Sequence, residues 1–277
     1  MNTKQIIRET IPKSMNTTHT FAICAYKESE YLEECIQSLK NQTIESTIIL
    51  ATSTPNDYIA GLAKKYEIPV FVNEGESGIT QDWNFALDKV QTPYATIAHQ
   101  DDTYEPDYAK NILERMTTAK QSLIAFSDYF ELRDGKQVHD TTMLKIKRLM
   151  LFPMRLKLFS GSRFIRRRVL SMGDPICCPA VTFNLTALSR PIFQDGFRSC
   201  EDWEAWEKIS RMKGEFLYEP TPLMSHRIHS ESATTAIIQD HARVEENNVM
   251  FCKFWPKPIA KLINKFYTKS EDSNQLS

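Results

Sequence analysis

The chain has 277 residues, a formal net charge of −1, and 42% hydrophobic and 25% charged residues. That length suits one large domain, or one domain with an appended subdomain, and the balance is that of an ordinary soluble globular protein. A near-neutral charge gives no global hint of nucleic-acid binding, and no run approaches the roughly 20 apolar residues that a membrane-spanning helix needs.

Met1–His19 is polar and lacks the apolar core of a signal peptide, so residues 1–18 read as an N-terminal extension. Thr20–Ala25 is a short apolar strand, broken by Tyr26-Lys27-Glu28-Ser29. Glu30–Asn41 then carries Tyr31, Leu32, Cys35, Ile36 and Leu39 at helical spacing. Thr47–Ala51 is a second strand, and Thr52–Asp57 a loop into a helix through Tyr66 with Pro55 in its first turn. Pro69–Val72 is the third strand, Ile79–Val90 a helix and Tyr94–Ala98 the fourth strand. Pro106–Thr118 is a helix and Ser122–Phe130 the fifth strand. This alternation predicts an α/β fold, a mostly parallel sheet flanked by helices with right-handed connections. Neither G-x-G-x-x-G nor G-x-x-x-x-G-K occurs, and with only 8 glycines a glycine-rich loop is not the main phosphate cradle.

The pattern changes after Gly135. Thr141–Gly173 contains no acidic residue but holds Lys145, Lys147, Arg148, Arg155, Lys157, Arg163, Arg166, Arg167 and Arg168 among many apolar residues. Two main readings stand, an amphipathic basic segment on an anionic membrane surface or a helical pair packed on the domain with ordinary basic residues in water; nucleic acid is a third, with no RNA or DNA module to support it. Strand-like pieces return at Ala180–Asn184 and Phe216–Tyr218. Trp255–Tyr267 sets Lys257, Lys261 and Lys265 on one helix face, with Ile259, Leu262, Ile263 and Phe266 on another. Residues 236–277 read as a helical, basic C-terminal region ending in a frayed tail, Lys269–Ser277. The cysteines (Cys24, Cys35, Cys177, Cys178, Cys200, Cys252) show neither Cys-x-x-Cys nor zinc spacing, so a reduced, cytoplasmic compartment is expected.

Three segments carry candidate chemistry. His99-Gln100-Asp101-Asp102 follows the fourth strand, at the sheet edge where α/β folds bind ligands. Paired carboxylates there are costly unless something positive meets them; a divalent cation with a nucleotide diphosphate is one reading, and a turn capping the next helix is the other. Cys200-Glu201-Asp202-Trp203-Glu204-Ala205-Trp206-Glu207 opens a helix to Met212. Acids in a first turn suit the helix dipole, while Asp202 beside large rings suits a general base with a raised pKa. In His226-Arg227-Ile228-His229, a histidine can complete a metal's coordination and Arg227 can meet a diphosphate, or the histidines simply pack.

Taken in order, these segments resemble the family 2 glycosyltransferases of the GT-A fold, bacterial surface-polysaccharide type, over residues 19–235. Phe21-Ala22-Ile23-Cys24-Ala25-Tyr26-Lys27-Glu28 is similar to the family's opening strand, and Asp82-Trp83-Asn84-Phe85-Ala86-Leu87 to the helix whose Asn precedes the metal motif. His99-Gln100-Asp101-Asp102 resembles the Asp-x-Asp motif. Cys200-Glu201-Asp202-Trp203 resembles the Glu-Asp segment of the catalytic base, and His226-Arg227-Ile228-His229 a C-terminal segment of bacterial members.

The resemblance implies a GT-A (Rossmann-like) sheet with a helical C-terminal region. Residues 19–130 would form the nucleotide-sugar half, and 131–235 the acceptor half with the basic insertion 141–173. It implies Asp202 as base, and Ala25, Tyr26, Glu28, Thr52, Ser53, Asn84, Asp101 and Arg227 on the donor. Asp102, His226 and His229 would lie on Mg²⁺ or Mn²⁺. The implied reaction is inverting transfer from a nucleotide-diphosphate sugar, UDP-linked by preference, to a glycan or lipid-linked hydroxyl in surface polysaccharide synthesis. Peripheral contact with the inner face of the cytoplasmic membrane through 141–173 would go with it, and no nucleic acid is involved. Two positions depart from the family pattern. His99 stands where an acid is usual, and Ala51-Thr52-Ser53-Thr54 replaces Asp-Asp-Gly-Ser, removing an Asp expected to read the base. A sugar-nucleotide nucleotidyltransferase and a non-catalytic sugar-nucleotide or partner-binding protein are the competing readings.

Overall fold

The computed structural model describes residues 17–229 and 242–274. Strands β1 (His19–Ala25), β2 (Thr47–Thr52), β3 (Val70–Val72) and β4 (Tyr94–His99) lie parallel in the order β3-β2-β1-β4. Helices α1 (Leu32–Lys40), α2 (Asp57–Lys65) and α3 (Ile79–Lys89) connect them. Alternate residues of β1 serve opposite faces. Phe21 and Ile23 pack with Leu32, Ile36 and Leu39 of α1, while Ala22 packs with Ala86 and Leu87 of α3. A strand covered on both faces needs apolar side chains throughout, which is why this half reads so clearly from its sequence.

The second half is mixed rather than a continuation of the parallel sheet. After β5 (Thr103–Tyr104) and α4 (Tyr108–Thr118) come β6 (Ser122–Arg133), β7 (Lys136–Val138), β8 (Val181–Asn184) and β9 (Glu215–Ile228). β8 inserts antiparallel between β4 and β6, and β9 runs parallel to β6 and antiparallel to β5. The hairpin β6–β7 turns at Asp134-Gly135, both at positive φ (49° and 75°), a two-residue turn that Asp-Gly favours. β9 is far longer than the expected Phe216–Tyr218. Its ladder with β6 shifts register around Asp128, beside Pro220 and Pro222, so the alternation that marks a strand is interrupted there. Two helix starts also move. Asn56, whose side chain accepts from Ile59 N at 2.9 Å, caps α2, leaving Pro55 outside the helix, and α4 begins at Tyr108 rather than Pro106.

The basic segment folds as α5 (Thr142–Leu151), two short 3₁₀ turns and α6 (Arg163–Leu170), capped by the side chains of Thr141 and Ser162. Much of its charge is structural. Arg148 pairs with Asp128 at 2.6 Å and Arg167 with Glu207 at 2.6 Å. Arg166 is buried, and it donates to the carbonyls of Ser210, Gly214 and Met212 at the end of α7 (Glu201–Ser210). α8 (Ala242–Cys252) and α9 (Lys257–Asn274) follow. α9 continues through Asn274, beyond the point where fraying was expected at Lys269. The six cysteines are free thiols, and no described helix is long and apolar enough to cross a membrane. The proposed N-terminal extension falls, apart from residues 17 and 18, outside the described residues, as does the stretch 230–235.

Candidate active site

β5 explains how Asp101-Asp102 meets the late histidine segment. The chain leaves β4 at His99, turns through the two aspartates, and enters β5, where Thr103 pairs with Ser225 of β9. His226 and Arg227 are the next residues of β9 and fall beside the carboxylates. Asp102 is fully buried; its Oδ1 accepts from His226 Nδ1 at 3.1 Å and from Arg227 N at 2.9 Å. His229 Nε2 lies 3.0 Å from Asp101 Oδ2. Burial disfavours charge on Asp101, but His99, the His229 hydrogen bond and His226 outweigh it and hold the carboxyl below its usual range. His226 is disfavoured as a cation by burial, yet Asp102 and Asp101 raise its pKa.

The atoms that converge on one point are those of His99, Asp101 and Asp102, whose ligand atoms lie within 4.8 Å of one another. His99 stacks on Trp83 of α3 at 5.3 Å, its Nδ1 is 3.8 Å from Asp102 Oδ2, and its Nε2 is buried with no hydrogen-bond partner. One imidazole and two carboxylates fit a divalent cation, and a nitrogen donor suits Mn²⁺ better than Mg²⁺. His226 and His229, expected as ligands, hydrogen-bond Asp102 and Asp101 respectively and are not part of that converging set.

Arg227 departs from expectation. Its guanidinium is buried, donating to Glu34 Oε2 at 2.5 Å and to the Asp101 carbonyl at 2.8 Å, and stacks over Tyr31 at 4.2 Å. A cation so engaged fixes the Asp101 turn rather than pointing at a phosphate. Asn84 departs similarly. Its Oδ1 accepts from Ile192 N and Phe193 N, each at 3.1 Å, and its Nδ2 donates to the Phe193 carbonyl at 2.9 Å. Three of its hydrogen bonds go to that loop, whose Phe193 packs on Trp83 at 4.9 Å.

The β1 and β2 ends form the other wall. Ala25 is buried, Tyr26 and Glu28 are exposed, and the Tyr26 backbone exchanges two hydrogen bonds, each 3.0 Å, with the Gln100 side chain. Lys27, at φ 55°, donates from its backbone N to Thr54 Oγ1 at 2.6 Å. Thr52 is buried and caps Thr54 N at 3.0 Å. Ser53 Oγ donates to Asp82 Oδ2 at 2.8 Å, and Asn73 Nδ2 donates to Asp82 Oδ1 at 2.8 Å. Asp82 was legible only as part of a helix motif, since nothing in one sequence links it to Ser53.

Asp202 sits at the start of α7, where Trp203 N donates to its Oδ1 at 2.7 Å. Burial raises its pKa, partly opposed by that N–H, by a hydrogen bond from Asp174 and by Lys147. Asp174 is the partner that sequence reasoning missed. Burial and then the neighbouring Asp202 push it well above the carboxylate range, which favours a proton on Asp174 and a hydrogen bond donated from it to Asp202. Burial opposes the Lys147 ammonium, but Tyr129, Cys177 and Asp174 around it hold its pKa raised. Lys147 lies 5.4 Å over the Tyr129 ring, which in turn meets His226 at 6.2 Å. Contacts thus join Asp102, His226, Tyr129 and Lys147, and the charge of Lys147 reaches Asp174 and Asp202 beyond them.

Comparison with known proteins agrees with this architecture. A family model described as glycosyl transferase family 2 matches residues 20–190. TarS 1-349 from S. aureus, solved in complex with UDP-GlcNAc, is similar at a TM-score of 0.59 and 12% identity, over 90% of this chain and 70% of that one. The mannosyltransferase PcManGT from Pyrobaculum calidifontis, in complex with GDP-Man and Mn²⁺, is similar at 0.60 and 13% identity, over 96% of this chain and 74% of that one. These likenesses show a shared GT-A fold. No curated protein matches the chain.

Proposed function

The chain belongs to glycosyl transferase family 2, and on that premise we propose that it is an inverting, metal-dependent glycosyltransferase. It takes a nucleotide-diphosphate sugar, UDP-linked by preference, and glycosylates a hydroxyl of a glycan or lipid-linked acceptor in surface polysaccharide synthesis. The observation that carries this reading is the pairing of two unlike carboxylate centres: Asp101, held below its usual range beside Asp102 and the histidines, and Asp202, raised by burial next to Asp174, which burial and Asp202 raise further. Environments that push carboxyl pKa values apart divide the labour between charge binding and proton transfer.

Asp202 accepts the proton of the acceptor hydroxyl as its oxygen attacks the anomeric carbon, and the bond to the diphosphate oxygen breaks on the opposite face. The hydrogen bond from Asp174 and the N–H of Trp203 orient Asp202. His99, Asp101 and Asp102 would hold Mn²⁺ or Mg²⁺, which when bound supplies charge for the leaving diphosphate. Tyr26, Glu28, Thr52 and Ser53 line the nucleotide, and Asp82 is the carboxylate placed to accept the base N–H, taking the part of the acid that β2 lacks. A lipid-carried acceptor would bring the enzyme to an anionic membrane on the cytoplasmic side, and we assign that contact to residues 141–173.

Incubation with a panel of UDP- and GDP-sugars and Mn²⁺ tests the assignment. Donor turnover that disappears in Asp202→Asn supports it; no turnover or hydrolysis of any donor by the wild type overturns it.

A further inference from the structure

α9 divides its apolar residues between two faces: Ile263 and Tyr267 pack against the core, and a second stripe meets solvent. Ala260 and Asn264 face inward and are buried, whereas Ile259, Leu262 and Phe266, at helical i, i+3 and i+7 positions, face out, with Phe266 67% exposed. The sequence pattern alone suggests the reverse, an apolar face packed on the domain. Lys261 and Lys265 flank the stripe and are exposed. The basic segment behaves in the same way: Leu149, Phe152 and Phe164 are exposed, and Leu158 is 85% exposed. Scattered exposed apolar residues are ordinary; large ones gathered on two neighbouring elements are not.

The two elements are packed together. The Arg168 guanidinium lies 4.7 Å from the Trp255 ring, just before α9, and 5.7 Å from that of Phe164. Trp255 Nε1 donates to the Ser171 carbonyl at 2.8 Å. Tyr267 of α9 covers Gly173 so closely that a Cβ there would meet its ring at 2.6 Å. Neither 141–173 nor 247–270 contains a single Asp or Glu.

We propose that the outward face of α9 and the exposed side chains of 149–164 form one docking surface for an anionic lipid bilayer. The proposal rests on the membrane contact assigned above to 141–173 and extends it to a second element. Apolar side chains enter the boundary between headgroups and acyl chains, while Lys261, Lys265, Lys157 and Arg163 meet lipid phosphates. A second copy is the poorer occupant, because a two-fold contact would set the same lysine- and arginine-rich face against itself.

Co-sedimentation of the full chain with phosphatidylglycerol or phosphatidylcholine vesicles tests this. Wild type is expected to bind the anionic vesicles selectively. Leu262→Ser with Phe266→Ser should weaken binding at least about tenfold at an unchanged thermal midpoint and unchanged donor turnover without vesicles. Lys261→Gln with Lys265→Gln should erase the preference for phosphatidylglycerol. If the α9 variants bind like wild type while Leu149→Ser, Leu158→Ser and Phe164→Ser together lose binding, the contact belongs to 141–173 and the extension to α9 is wrong. If wild type ignores both vesicles while turning over donor, the membrane contact as a whole is wrong and the glycosyltransferase reading stands. A solution dimer that Leu262→Ser with Phe266→Ser dissociates would assign the face to a second copy and overturn the proposal.

Discussion

Ser53 at the end of β2 donates its hydroxyl proton to Asp82 of α3 across 2.8 Å, so a helix delivers a carboxylate to a strand end that carries none of its own. Asp82 also accepts from Asn73, which leaves lone pairs on both oxygens for one further donor. We expect Asp82→Asn, which exchanges an acceptor for a donor, to weaken UDP binding by about 1–3 kcal/mol. Ser53→Ala should cost less, near 1 kcal/mol, because Asn73 still holds the carboxylate. Calorimetric titration with UDP decides: equal affinity in wild type and Asp82→Asn removes Asp82 from the base pocket.

We expect the Asp174–Asp202 pair to set the acid limb of the rate profile. A base with a raised pKa is protonated, and so inactive, at a higher pH than the usual carboxylate value of about 3.9. Transfer should therefore fall as pH drops through that raised value. Asp174→Asn keeps a donor toward Asp202 and should retain most activity. Asp174→Leu removes the hydrogen bond that lowers Asp202's pKa, so its acid limb should move to higher pH. Asp202→Asn should lose at least about 100-fold in rate with nucleotide affinity intact. Coincident pH profiles for wild type and Asp174→Leu would show that Asp174 does not act through Asp202.

What the sequence could reveal of this arrangement follows from how local each feature is. β1, β2 and β4 are short, mostly apolar and buried on both faces, and β3 is a β-branched and aromatic edge strand, so their composition announces them, and His99–Asp102 follows from where β4 ends. β9 is interrupted by Pro220 and Pro222, and its partner β6 is known only from pairing, so the route that brings His226 to Asp102 has no local signal. Asp174 and Lys147 are ordinary residues of a loop and a helix until folding sets them together near Asp202. Asn84 and Arg227 carry the reverse lesson. Their residue types suit a ligand, and the structure also ties them to the fold, through the Ile192–Phe193 backbone and through Glu34 and the Asp101 carbonyl.

The imidazole of His99 should tune the metal preference. With a nitrogen donor beside two carboxylates, Mn²⁺ should support more turnover than Mg²⁺. His99→Asp, which restores an all-oxygen set, should narrow that difference, and Asp102→Asn should lower metal affinity while still accepting from Arg227 N. Titration with each ion, in the presence and absence of UDP, reads both. An unchanged Mn²⁺ affinity in both variants would place the ion elsewhere.

His226 and Asp101 oppose each other in the pH dependence of stability. His226 has a folded pKa raised above its unfolded value, so its contribution is fully present below about 6.5 and is lost as pH rises through the folded value. Asp101 is depressed, so its contribution is present above its unfolded pKa near 3.9 and is lost as pH falls through the folded value. Metal-free protein should then be most stable at mildly acid pH, and His226→Gln should flatten the decline on the alkaline side. Thermal midpoints measured across that range in chelator test the sign; a decline equally steep in His226→Gln would assign it to another group.

Arg166 separates charge that builds the fold from charge that faces outward. It lies in the middle of the most basic stretch of the chain, yet it is 1% exposed and stacks over Phe216 at 4.7 Å. Its donors end on the carbonyls of Ser210, Met212 and Gly214, where the C-terminal end of α7 carries partial negative charge. Arg166→Ala leaves those carbonyls without a donor in a dry site and should cost about 3–5 kcal/mol of unfolding free energy, by analogy with breaking a buried ion pair. Arg163→Ala, one turn earlier and exposed, should change stability by no more than about 0.5 kcal/mol. Denaturant titration of the two variants gives the contrast; equal midpoints would mean that Arg166 does not clamp the end of α7.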